Sequence, residues 1–245
     1  HVGLARTLGY AGIVSRELGF YSTAKDYLEQ SLFVYKKHLP ENHIGKAWSL
    51  VHLGKVFEKL GEYSKARTLM EEGLEIYQKS FPEDTTAWVL IYLASVYKEL
   101  GDYAKAKILL EQSLENYQQT LPNDHVYIGW VLFLLGSVHN KITDYEQAQD
   151  YLEKSLRIHE DKFSKDHIEI ARILNEIGKN SLCLGQLDAA ETYLNRSLQI
   201  FEKKNHPEKY MALESLGNLY LKKSAASNNK NDLQTFKEKG VNCLT

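Results

Sequence analysis

The side chains best placed to do chemistry are histidines, and their spacing argues against it. His43, His125, His167 and His206 each stand in a linker, tens of residues from the next. A metal ion holds its ligands at about 2 Å, so histidines distributed one per linker do not share one. No metal site is expected, and these four read as structural residues. His52 and His139 fall in helix-patterned stretches. They read as packed side chains, with a pH-sensitive contact as the alternative. Cys183 and Cys243 have no short spacing, which gives neither a disulfide framework nor a zinc motif. A reactive thiol at Cys183 would need a depressed pKa, for which Lys179 one helical turn back is thin support. The chain contains no G-x-S-x-G, no H-E-x-x-H, no phosphate-binding glycine loop and no Cys-x-x-Cys pair. The expectation is a protein that is not an enzyme and needs no cofactor.

What positions these residues is a repeat. A turn residue recurs at Gly19, Gly61, Gly101, Thr143 and Gly185, in steps of 42, 40, 42 and 42 residues. Seven residues before it stands Gly12, Gly54, Ala94, Gly136 or Gly178, and Gly217 opens a sixth unit. Two residues after it comes Tyr21, Tyr63, Tyr103, Tyr145 or Leu187. Five after it is always alanine: Ala24, Ala66, Ala106, Ala148 and Ala190. Seven further on is Ser31, Gly73, Ser113, Ser155 or Ser197, each followed by leucine. Small residues at helical spacing make a close-packing stripe on each helix. Glycine at the turn suits the left-handed conformation that ends a helix.

The pattern predicts helix pairs at about 3–19 and 22–38, 43–61 and 62–80, 85–100 and 102–120, 125–142 and 144–162, and 167–184 and 186–204, with a further helix from about 208. Pro40, Pro82, Pro122 and Pro207 all fall in the linkers, where a missing backbone donor does no harm. Asn42, Asp84, Asp124 and Asp166 stand where helix N-caps are needed. In unit six "KKSAASNNKNDLQ" replaces the tight turn, predicting a longer loop. A closing helix, roughly Asp232 to Leu244, would then cover the apolar end of the array, with Val241 and Leu244 as its apolar residues. The expected division is residues 1–222 for the array and 223–245 for the loop and closing helix.

The columns resemble the tetratricopeptide repeat, with its L-G … Y … G-D-Y-x-K-A … A-L pattern. That repeat is about 34 residues long; the excess of about eight is two helical turns, one added to each helix. The longer unit, with linkers such as "LPNDHVYIGWVL" and "FSKDHIEIARIL", resembles the kinesin-light-chain type. The resemblance covers roughly residues 3 to 222. It implies an all-α, right-handed solenoid of about six helix-turn-helix units. It also implies a concave groove, lined by the first helices, that binds a protein or peptide.

Carried onto this sequence, the groove column reads Arg6, Trp48, Trp88, Trp130, Arg172 and Met211. All three tryptophans of the chain share that column. Three residues on come Val51, Ile91, Phe133 and Asn175, and a turn later Lys55 and Lys179, with Lys98 beyond. The functional reading is an aromatic and apolar stripe edged with Lys and Arg, because exposed Trp is costly unless used. The alternative is that the tryptophans fill space between adjacent helices. The family's paired asparagines are matched only by Asn175, in "LNEIG", which points to a greasier ligand or a partner helix. The expected partner carries bulky apolar and acidic residues. A second possibility is a regulatory arm that docks on another domain of a larger chain.

Composition agrees with an interaction module. The chain has 245 residues, 43% hydrophobic and 25% charged, with formal net charge −2. That balance argues against nucleic acid or an anionic membrane as main partner. No apolar run approaches the ~18 residues of a membrane span. A chain starting at His1 reads as a piece of a longer protein. Sparse cysteine favours a reducing, cytoplasmic setting and the expected form is a monomer.

Overall fold

A computed structural model of the chain describes residues 1–80 and 86–227, together with Gln234, Thr235 and Glu238. Among the described residues the main elements are eleven α-helices and there is no strand. They are α1 (Val2–Glu17), α2 (Tyr21–His38), α3 (Ile44–Lys59), α4 (Tyr63–Ser80), α5 (Ala87–Glu99), α6 (Tyr103–Thr120), α7 (Val126–Lys141), α8 (Tyr145–Lys162), α9 (Ile168–Cys183), α10 (Leu187–Lys203) and α11 (Lys209–Ala226). The chain divides into two compact bodies, His1–Leu121 and Pro122–Thr245. Within each, consecutive helices pair as hairpins, and the second helix of one hairpin lies against the first helix of the next.

The small-residue columns explain the hairpins. A Cβ placed on Gly54 of α3 would come within 2.7 Å of Met70 Cγ and 3.1 Å of the Ala66 carbonyl on α4. Gly12 stands so against Leu28 and Ala24, and Gly136 against Leu152 and Ala148. The five column alanines are fully buried. The serine column does more than stay small. Ser31, Ser113, Ser155 and Ser197 each donate to the carbonyl 26 residues earlier, of Ala5, Ala87, Gly129 and Ala171, at 2.7 to 3.0 Å. In the second hairpin Gly73 takes the place instead, and Val51 Cγ2 and the Ala47 carbonyl crowd the space its side chain would need.

Each hairpin turns on a residue with positive φ: Gly19 (83°), Gly61 (77°), Gly101 (82°) and Gly185 (75°), but Thr143 (64°) in the fourth. The amide after each is tied back to the first helix, as in Phe20 N–H to the Ser15 carbonyl and Asp144 N–H to the His139 carbonyl, at 2.8 and 3.0 Å. This double-back satisfies carbonyls the helix end would leave bare.

The helix N-caps correct the sequence reading. The cap is the histidine one residue after the expected Asn or Asp. Nδ1 of His43, His125 and His167 accepts the backbone N–H of Gly45, Tyr127 and Glu169 at 3.0, 3.2 and 3.3 Å. Asp124 instead pairs with Lys162, and Asp166 with Lys203 (2.8 Å) and Lys204 (3.2 Å), tying each linker to the end of the second helix of the hairpin it opens. Hydrogen bonds from Lys203, Ser164 and Lys204 hold the Asp166 carboxyl well below the usual carboxylate range. Asp84 and Pro82 lie outside the described residues.

The expected loop from residue 223 is also corrected: α11 stays helical to Ala226. Lys223 is held there by Asp188 (2.7 Å) and Glu191 (2.6 Å) of α10. The closing helix expected from Asp232 to Leu244, with Val241 and Leu244, lies outside the described residues except at Gln234, Thr235 and Glu238. Those three are helical.

The left-handed turn at Thr143 carries a β-branched side chain where its four counterparts have none. Left-handed backbone costs a non-glycine residue about 1–2 kcal/mol, and glycine returns part of that as unfolded-state entropy. Thr143→Gly should therefore stabilise the protein by on the order of 0.5–1 kcal/mol, a rise of about 2 °C in Tm by differential scanning calorimetry.

Candidate functional site

The first helices of the first body carry a chain of rings. Tyr10 of α1 meets Trp48 of α3 edge-on at 5.4 Å, and Trp48 meets His52 at 4.4 Å. His52 stacks on Trp88 of α5 at 5.7 Å. Trp88 in turn stands edge-on to Tyr92 and to Tyr77 of α4, both at 5.6 Å. His52 and Tyr92 each lie four residues after a tryptophan, the helical spacing that puts side chains on one face. That interval is the sequence signal by which these two rings could have been found.

Trp48 and Trp88 are half-buried. Trp48 lies over Gly9 of α1, in the space a side chain there would need. The indoles thus fill gaps between neighbouring first helices while keeping part of their surface open. The space-filling reading of the tryptophan column is thus met at Trp48, and part of each indole stays accessible.

Cations edge this ring chain. Arg16 Nη1 approaches His52 Nδ1 at 3.3 Å while its guanidinium pairs with Glu17. Lys55 holds its ammonium 4.6 Å from the Tyr92 ring centroid and 2.6 Å from Glu58 Oε2. Burial pushes the Lys55 ammonium below the usual lysine range, opposed by Glu58. Lys98 pairs with Glu99 at 3.5 Å. Arg6 is exposed on α1, and its charge is felt at Tyr35, whose phenol burial pushes up. His52 is 8% exposed. Burial, then the Arg16 and Lys55 charges, push its imidazole down to about 3, so it is neutral and its ring belongs to the packed chain.

Three expected contact residues turn inward. Val51 has no exposed surface and packs against Gly73 of α4. Ile91 is 6% exposed and Asn175 2%. They stand behind the face rather than on it. Three residues along a helix is about 300° of rotation, and the neighbouring second helix takes up that direction.

The second body presents a different arrangement. Trp130 is half-buried beside Phe133, 5.6 Å between ring centroids, and Phe133 packs against the core of Leu152, Ile173 and their neighbours. Arg172 is committed within the chain. Its Nε and Nη2 donate to Glu208 at 2.6 and 2.7 Å, and Nη1 to Glu169 at 2.5 Å. It links α9 to the residue capping α11. Lys179 pairs with Glu176 at 2.9 Å. His139 is buried, with Nδ1 2.9 Å from Asp144 and its ring by Tyr151. Cys183 is exposed at the end of α9, and its sulfur raises the neighbouring Tyr145 phenol; Cys243 lies outside the described residues. No cluster of three metal-ligating side chains occurs among the described residues. No described helix is long and apolar enough to cross a membrane.

This geometry sits on a fold that can now be assigned. A family model for the tetratricopeptide repeat matches residues 3–79, 85–161 and 127–203. The chain belongs to the tetratricopeptide repeat family. No curated protein matches it in sequence. Among solved structures it is similar to the nearly identical TPR-like repeats of a kinesin-light-chain-like protein from Podosopora anserina, at 21% identity and TM-score 0.70, covering 84% of this chain and 98% of that one. It is also similar to BtubC (BKLC) from P. vanneervenii, at 19% identity and TM-score 0.68, covering 84% and 89%. A Rap protein complexed with competence and sporulation factor matches at 16% identity and TM-score 0.69, covering 94% and 61%. These likenesses show the fold: an all-α TPR array similar to the kinesin-light-chain type.

Two outcomes follow from these contacts. The His52 imidazole should stay neutral to well below pH 5 when followed by NMR. Its folded pKa is depressed, so its contribution is complete above about pH 6.5 and is lost as pH falls toward about 3; a titration midpoint near 6.5 would contradict this. Arg172→Ala should cost about 1 kcal/mol by urea titration, and Arg172→Lys should restore only part of it, because a lysine cannot make the paired contact with Glu208.

Proposed function

We propose that this TPR scaffold binds a peptide or partner helix on the face formed by α1, α3 and α5. The observation that carries the reading is the ring chain from Tyr10 through Trp48, His52 and Trp88 to Tyr92, half-open and bordered by Arg16 and Lys55. Rings that are rigid and already packed offer contact area at little entropic cost, and Trp and Arg are the favoured anchors of interfaces. Arg6, Trp48, Trp88, Lys55 and Lys98 are the contact residues of this reading. On the second body, taken by itself, Trp130 and Phe133 are the aromatic residues of the same reading, together with Arg172, Asn175 and Lys179.

The ligand is one with bulky apolar side chains to lie on the rings and carboxylates to compete for the lysines. That a Rap protein of the same fold holds competence and sporulation factor gives precedent for such use of the scaffold, without naming this chain's partner.

The test starts from peptides selected against the purified chain from a displayed random library. Their sequences should be rich in aromatic and Leu residues with Asp or Glu. Lys55→Glu should weaken the best peptide tenfold or more by fluorescence titration, and Trp88→Ala should do the same with the helical circular dichroism retained. Selected peptides indifferent to both changes, and to the exposed Arg6→Glu, would sink this assignment.

A further inference from the structure

The ring face of the first body holds one polar atom that its own chain leaves unused. Arg16 Nη1 lies 3.3 Å from His52 Nδ1. A guanidinium has only donors, so Nδ1 is the acceptor of that contact, and the single proton of the neutral imidazole sits on Nε2. Among the described residues no acceptor takes that N–H. Nor is the atom shut away. Nε2 of His139 is sealed from solvent without a partner, whereas Nε2 of His52 keeps solvent contact although the residue is only 8% exposed. The surface around it is aromatic. Trp48, one turn back on α3, meets the imidazole edge-on at 4.4 Å, and Trp88 of α5 stacks on it at 5.7 Å. His52 thus stands on the middle one of the three first helices, with an indole to either side along the ring chain.

On the reading that this is the binding face, we propose that His52 Nε2–H donates to a main-chain carbonyl of the bound polypeptide, and that the occupant is therefore an extended segment and not a helix. A donor set in an apolar platform is a demand on whatever covers it. A guest with only apolar groups there would bury the N–H unpaired, which costs more than leaving it in water. With bulky side chains seated on the indoles to either side, the part of the guest that passes over the imidazole is its main chain. The carbonyls of an extended segment are free to accept. Those of a helix are taken by its own amides four residues on, except in the last turn. The Arg16 contact fixes which ring nitrogen faces the guest, so the donor is set before the ligand arrives and costs little to orient. Arg16 and Glu17 act here as positioning residues for the imidazole.

The probe is the tightest peptide from the displayed library, titrated against the intact chain by fluorescence. His52→Phe keeps a ring but no donor and should weaken binding about tenfold. His52→Gln, whose amide N–H reaches the place of Nε2, should recover most of that loss. His52→Asn, whose amide reaches only the place of Nδ1, should not. Replacing the peptide's amides one at a time by esters, whose carbonyls accept more weakly, should find one position that weakens binding to the native chain but not to His52→Phe. That coupling marks a direct contact. Nitrogen-15 NMR of the imidazole should show the Nε2–H tautomer in the free chain, and a downfield move of that proton when the peptide binds, which a packing role would not produce. An Nδ1–H tautomer, equal loss in all three variants without that move, or a peptide that is helical across the contact overturns the proposal. So does binding that Trp88→Ala abolishes and no His52 change touches, which leaves the ring face standing. A library that yields no peptide sensitive to Trp88→Ala or Lys55→Glu overturns both.

Discussion

The close approach of two helix backbones inside each hairpin is the contact on which the rest of this structure depends. Leu28, Met70, Leu152 and Leu194 each occupy the space a side chain on Gly12, Gly54, Gly136 or Gly178 would need. The serine hydroxyls then reach carbonyls across the hairpin in four of the five. Backbones this near admit no bulk between them. Large side chains are displaced to the flanks of the first helices, where they meet the next hairpin. Tyr10, Trp48, His52, Trp88 and Tyr92 gather there. The candidate binding face is thus a by-product of how tightly each hairpin closes.

The linkers then fix how far along each first helix that face begins. His43, His125 and His167 cap the following helix through Nδ1, and in two of them a ring from the preceding side, Tyr35 on His43 and Phe163 on His167, stacks on the imidazole. Histidine can serve both contacts at once: a ring that packs and a nitrogen that accepts.

Electrostatics on the proposed face favours selectivity over strength. Arg16, Lys55 and Lys98 already have carboxylate partners in Glu17, Glu58 and Glu99. A ligand carboxylate gains only the difference between the new pair and the old one. The rings would supply most of the affinity and the cations most of the discrimination. Arg172 shows the limit of this: with two carboxylates of its own chain engaged, it acts as a tie between α9 and α11.

The repeat period, the order of the elements and the helix ends were legible from the residues alone, the ends to within two residues of those observed except at the close of α11, which runs four residues further. Glycine at a left-handed turn, alanine at a hairpin contact and proline in a linker are each demanded by the local backbone, so they recur in print. The tryptophan column was legible for the same reason. Three-dimensional packing decided what such columns do. Val51 and Asn175 share the spacing of groove residues yet face inward, because a neighbouring helix takes up that direction. Asp124 and Asp166 look like caps until Lys162, 38 residues away, and Lys203 claim their carboxylates. Glu208 lies 36 residues from the Arg172 it engages. Partners so distant in the chain leave no mark on local pattern, and only the stacking of one hairpin on the next brings them together.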